Sequence, residues 1–180
     1  MRKIIGLFIV CFLSVQTAVA DDEIIKFFKD YHWDAGVNGN MGFDGVQTDV
    51  WRVTVGAGVH LGYHLNERTG MQVEIMQFFY SHGDADTEDI TSTVYAGSLT
   101  YDFSPERYYS LYAIGGLGYE NLKKFGNDRS NPISLLGFGF RYMFAEAWSA
   151  RIEGRWRFVL SNISYPDNGL IGSVGVDYHF

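Results

Sequence analysis

The feature that most constrains this chain is an alternation of apolar and polar residues sustained over segments of ten residues and more. From Trp33 the odd positions read Trp33, Ala35, Val37, Gly39, Met41, Phe43, and the even ones Asp34, Gly36, Asn38, Asn40, Gly42. The next segment sets Trp51, Val53, Val55, Ala57, Val59, Leu61, Tyr63 and Leu65 against Arg52, Thr54, Gly56, Gly58, His60, Gly62 and His64. A period of two is that of a strand with two unlike faces. Similar segments at 71–80, 91–103, 109–120, 133–144, 149–159 and 171–180 bring the strand count to eight. Soluble strands are mostly about 5–6 residues long, whereas a strand that crosses a bilayer needs about 9–11.

Composition narrows the alternatives. The chain is 47% hydrophobic and 17% aromatic, with 21 glycines, yet its mean hydropathy is −0.06. No apolar run beyond residue 20 approaches the ~18 residues of a membrane helix, so a helical membrane protein is excluded. A net charge of −7 argues against nucleic acid as a partner, because phosphate binding needs a basic surface. The expected fold is all-β: an eight-stranded antiparallel transmembrane barrel, an up-and-down meander over residues 31–180. Connections at 66–70, 104–108 and 145–148 are tight, and those at 44–49, 81–90, 121–132 and 160–170 are longer and more polar, as in bacterial outer-membrane barrels with short periplasmic turns. Aromatics then gather at the two strand ends. Tyr63, Tyr101, Phe103, Tyr109, Tyr142, Phe144, Trp148, Tyr178 and Phe180 fall on the periplasmic side, with Phe43, Trp51, Phe79, Tyr119 and Phe158 on the outer side. A soluble sandwich or lipocalin-like barrel also alternates, but strand length favours the membrane.

The first twenty residues read as a secretory signal. Met1-Arg2-Lys3 is basic, 4–15 is apolar, and Ala18-Val19-Ala20 supplies the small residues of a cleavage site. Cleavage near Ala20 removes Cys11, the single cysteine, and two basic residues, so the charge moves from −7 to −9. Residues 21–30 form either a periplasmic leader or a short interfacial helix, since Ile24, Ile25, Phe27 and Phe28 lie on one helical face.

Inward parity collects charge. Arg52, Glu74, Asp102, Glu120, Arg141, Arg151, Glu153, Arg155 and Arg157 share the polar face, with His60, His64 and His179 nearby in parity. An eight-stranded barrel is just wide enough for side chains to fill, and a lone buried charge costs several kcal/mol. The expectation is a salt-bridged network of Arg52, Glu74, Asp102, Arg141, Arg151, Glu153 and Arg155, centred on Arg141, Arg151, Arg155, Glu74 and Glu153. Such a network fills the barrel or, in a second reading, gates a narrow channel. His60 and His64 share a face, but no third histidine is evident on a neighbouring strand, so no metal and no cofactor are expected. The acidic run Asp84, Asp86, Glu88, Asp89 reads as a solvated loop tip, with divalent-cation binding at the lipopolysaccharide surface as the alternative.

Two resemblances add to this. The stretch Gly139-Phe140-Arg141-Tyr142-Met143-Phe144-Ala145-Glu146-Ala147-Trp148-Ser149-Ala150-Arg151-Ile152-Glu153 resembles a turn and its flanking strands in the outer-membrane protein A (OmpA) type of barrel. Gly175-Val176-Asp177-Tyr178-His179-Phe180 is similar to that family's closing strand, and YAIGGLGYE at 112–120 to another of its strands. The resemblance implies a small integral outer-membrane barrel with a structural or surface-interaction role, set in lipid and lipopolysaccharide. It also implies Tyr178 and Phe180 as the signal for the barrel-assembly machinery. A monomer is expected, without a peptidoglycan link. Residues 158–171 are similar to the hallmark of the lipid A deacylases (PagL type), a serine esterase family, with Ser161 and Asn162 matching the nucleophile and its neighbour. The base position holds Val159 and the acidic position Ile171, or Asp167 in a shifted alignment. An esterase needs that base, so no catalytic site is expected; Ser161 and Asn162 stand as the alternative.

Overall fold

The computed structural model describes residues 32–45, 51–80, 90–104, 108–124, 127–160 and 168–180. They form eight strands: β1 (Trp33–Gly45), β2 (Trp51–His64), β3 (Thr69–Tyr80), β4 (Ile90–Asp102), β5 (Tyr109–Lys124), β6 (Asn127–Ala145), β7 (Trp148–Val159) and β8 (Gly169–His179). Each pairs antiparallel with its chain neighbours, and β8 pairs with β1, so the sheet closes into a barrel. The signal segment, residues 21–30, the acidic run at 84–89, and Ser161, Asn162 and Asp167 lie outside the described residues.

Strand register sets the shape. Following paired residues once round, Asp34 leads to Gly62, Gln72, Ser98, Gly116, Leu135, Arg157 and Gly169, and back to β1 at Asp44, ten residues further along. A stagger of this size inclines the strands by about 40° to the axis and leaves an interior that side chains occupy. All residues on this path share inward parity, so every inward residue is one step from an inward partner on each side.

Local chemistry shapes the turns on the end that carries the described termini, His32 and Phe180. The Asn66 carboxamide accepts hydrogen bonds from the backbone N–H of Arg68 (2.9 Å) and Thr69 (2.8 Å), an arrangement that asparagine side chains favour. Asp102 does the same for the N–H of Ser104 at 3.1 Å. Residues 146–147 suffice to join β6 to β7, with a register shift between Met143 and Ala145. In bacterial outer-membrane barrels the short turns face the periplasm. Aromatic pairs rim this end: Trp33 with Tyr63 (4.8 Å between ring centroids), Trp148 with Tyr178 (5.0 Å) and Tyr178 with Phe180 (6.0 Å).

Outside, Val37, Val59, Val73, Leu99, Leu117, Phe138, Ile152 and Val174 are exposed; in water so much apolar surface marks an interaction site, and here it is a continuous belt. The structure departs from the sequence expectation in two places. The expected loop at 121–132 is mostly strand: β5 and β6 continue as a hairpin in which Asn121 faces Ser130, Leu122 faces Arg129 and Lys124 faces Asn127. The interior is also not polar throughout. Met76, Phe78, Val94, Ala96, Ile133, Leu135 and Ile171 point inward and form a buried apolar cluster, with Val159 packed against it. These residues sit at the ends of β3, β4, β6, β7 and β8 away from the termini.

Candidate functional site in the barrel interior

Below the apolar cluster, the interior is a connected charge network. Glu74 on β3 and Arg155 on β7 pair through both carboxylate oxygens, the longer contact being 3.0 Å. Arg155 also reaches Glu153 Oε2 at 3.2 Å. Glu153 Oε1 accepts from Arg151 Nη1 at 3.2 Å and from the Tyr112 hydroxyl at 2.5 Å. Arg151 donates to His60 Nδ1 at 2.7 Å, and its Nε lies 3.4 Å from Asp177 Oδ1. A guanidinium only donates, so His60 Nδ1 accepts and its Nε2–H donates to Asp34 Oδ1 at 3.1 Å. Nearer the apolar end, Arg157 pairs with Glu120, which also accepts from Ser92 at 2.7 Å. Glu74, Arg151, Glu153, Arg155 and Arg157 are each 5% exposed or less, so every charge depends on these partners.

Interior glycines make room for the long side chains. A Cβ on Gly139 would fall on the Tyr112 ring, and one on Gly36 would fall on Asp177 and His60.

The structure sorts the predicted residues into groups. It brings Glu74, Arg151, Glu153 and Arg155 together. Arg141 stands apart from them: its guanidinium carbon lies 5.1 Å from the Tyr112 ring centroid and its Nη1 3.9 Å from Asp102 Oδ2. Asp102 accepts from the Ser110 hydroxyl. Arg52 lies in register with Asp44 at the outer end of β2. Sequence reasoning did not name Tyr112, Asp34 or Asp177 as network members, although all three carried inward parity. Tyr112 couples the two halves of the network by donating to Glu153 while it faces Arg141.

A second group lies at the terminal end. Asp34 on β1, His64 on β2 and His179 on β8 each offer a metal-ligating atom, and these atoms lie within 4.8 Å of one another. The expected absence of a third histidine near the pair fails because β8 closes onto β1 and delivers His179, whose ring centroid is 6.2 Å from that of His64. His179 Nε2 also meets the hydroxyl of Ser149 at 2.9 Å, and Ser149 lies 3.4 Å from Asp177. That serine–histidine contact is buried in the barrel interior, with Ser149 at 0% exposure. At the other end, the two positions where a deacylase needs base and acid, Val159 and Ile171, pack in the apolar cluster. The described histidines, His32, His60, His64 and His179, all lie toward the terminal end.

Comparison with known proteins agrees with this architecture. Among solved structures, neisserial surface protein A (NspA) superposes with a TM-score of 0.69 at 13% identity, covering 82% of this chain and 97% of that one. Ail, the attachment invasion locus protein of Yersinia pestis, gives 0.58 at 16% identity, with 83% and 99% coverage. The N-terminal barrel of Pseudomonas aeruginosa OprF gives 0.57 at 14%, with 82% and 97% coverage. At these identities the likeness establishes the fold. No curated protein matches the sequence. Residues 6–180 match the outer membrane protein beta-barrel domain. The chain therefore belongs to the outer membrane protein beta-barrel domain family, a small integral barrel of the bacterial outer membrane that sits in lipid and lipopolysaccharide.

Proposed function

We propose that the protein is a non-conducting envelope barrel that presents its outer loops and the long β5–β6 hairpin at the cell surface, in a structural or surface-interaction role. The observation that carries this reading is the interior, occupied twice along its axis: by the apolar cluster around Met76, Phe78 and Leu135 near the outer end, and by the Glu74–Arg155–Glu153–Arg151 network below it. An ion crossing the barrel would have to displace both, which weighs against the channel reading. Ail carries attachment and invasion in its name and has been solved with the heparin analogue sucrose octasulfate; a surface contact of that broad kind fits a rigid barrel with projecting strands. We carry over the remaining expectations with it: cleavage near Ala20, recognition of Tyr178 and Phe180 by the barrel-assembly machinery, and a monomer in the membrane.

Planar-bilayer recording of the refolded protein tests the closed interior. Silence at physiological salt is expected, and discrete conductance steps would overturn the reading. Deleting residues 121–130 tests presentation. The shortened barrel should reach the outer membrane with unchanged heat-modifiable migration while cell-surface binding, to host matrix or to other cells, is lost. Retained binding would assign that role elsewhere.

A further inference from the structure

The geometry at the terminal end points to a site for a divalent transition-metal ion of the zinc class, ligated by Asp34, His64 and His179. Two imidazoles and a carboxylate are the donor set of three-residue zinc sites that keep a fourth position for water, and late first-row metals favour such nitrogen-rich sites.

The wall sets the spacing. Asp34 faces His179 directly across the β1–β8 pairing, and on its other side it faces Gly62, two residues from His64. A Cβ at Gly62 would collide with the Asp34 carboxylate, so the glycine lets that carboxylate lie between the two rings. Asp34 Oδ2 is 3.1 Å from His64 Nε2. A tetrahedral ion held at about 2.0–2.1 Å requires donors a little over 3 Å apart. Asp34 and His64 already have this separation, and the widest of the three separations, below 4.8 Å, has to close by no more than roughly 1.5 Å to meet that spacing.

The surroundings resemble the outer sphere that metal ligands use for orientation. His60 Nε2 holds the other oxygen of Asp34, at 3.1 Å, and Ser149 holds His179 Nε2 at 2.9 Å. Asp177, beside Ser149 and His60, adds negative charge, while Arg141 acts electrostatically on Asp34 and opposes a cation. The His64 side chain is 13% exposed, which gives an ion entry from the periplasmic rim. A bound ion would tie β2, β1 and β8 together across the seam where the barrel closes.

The probes are Zn²⁺ and Co²⁺ added to tag-free, refolded protein near neutral pH. Equilibrium dialysis should show one Zn²⁺ per chain. Co²⁺ should give the intense visible bands of a four-coordinate nitrogen and oxygen site. Zn²⁺ should raise the urea midpoint of unfolding. H64Q and H179Q should each weaken binding at least tenfold while keeping heat-modifiable migration, and H32Q, at the exposed His32 outside the cluster, should bind as the parent does. Absence of stoichiometric Zn²⁺ and of the Co²⁺ bands in the parent protein would overturn the site without recourse to any variant. Equal binding by H64Q and H179Q would do so as well.

Discussion

Glu74 and Arg155 face each other across the full width of the barrel, from β3 to β7, and meet through both carboxylate oxygens. Three strands lie between β3 and β7 either way round the sheet, so no local geometry imposes the pairing. Removing one partner leaves a buried charge without its counter-ion, which costs about 3–5 kcal/mol. E74A and R155A should each lower unfolding free energy by that amount in urea titrations of the vesicle-embedded protein. The double variant E74L/R155M should lose clearly less than the sum. Additive losses would show that the two side chains act independently.

The Tyr112–Glu153 hydrogen bond depends on a missing side chain. Gly139 lies opposite Tyr112 on β6, and any Cβ there occupies the ring position. G139A should therefore push Tyr112 off Glu153 and destabilise the barrel by about 2 kcal/mol or more, combining overpacking with a lost buried hydrogen bond. Gly154 points outward with open space around it. G154A should stay within about 1 kcal/mol of the parent, since glycine in a strand carries an entropic cost of its own. Parallel unfolding titrations decide, and equal losses would contradict the packing described.

How much of this was legible in the sequence depends on what each face meets. β1, β2, β7 and β8 alternate cleanly because one side meets lipid and the other a polar interior, so their parity read correctly. Above the apolar belt the sequence loses its apolar–polar alternation from Asn121 to Pro132 although backbone pairing continues. Met76 and Phe78 were hidden for the opposite reason: inward and outward residues at the end of β3 are both apolar, apart from Gln77. The charged interior was visible as a set, since parity selects it, but its partners were not. Whether Glu74 meets Arg155 or Arg141 depends on stagger, which only closure of β8 on β1 defines. The same closure brings His179 to His64.

The outward belt predicts a depth-dependent penalty. Val174 lies near the middle of β8, exposed on the outer face, while Leu65 sits at the edge of the β2–β3 turn. An arginine at the bilayer midplane of a barrel costs about 2–4 kcal/mol, and one near the interface about 0–1. V174R should therefore lose several times more stability than L65R when both are unfolded from the same lipid. A soluble barrel would show no such gradient, and comparable small losses would remove these faces from the membrane.

Orientation can be read by labelling, because Cys11 lies in the segment read as a cleaved signal and the mature chain is then free of cysteine. Ser130 is exposed on the β5–β6 hairpin, at the end away from the termini, and Glu146 is exposed in the β6–β7 turn beside them. If short turns face the periplasm, S130C reacts with a membrane-impermeant maleimide on intact cells. E146C reacts only after the outer membrane is permeabilised. The hairpin strands reinforce the first expectation: Asn121, Lys123 and Ser130 would carry unsatisfied polar groups into hydrocarbon if placed any deeper. The reverse labelling pattern would invert the barrel and move the Asp34–His64–His179 cluster to the cell surface. Labelling of both positions on intact cells would point to a barrel that is not inserted at all.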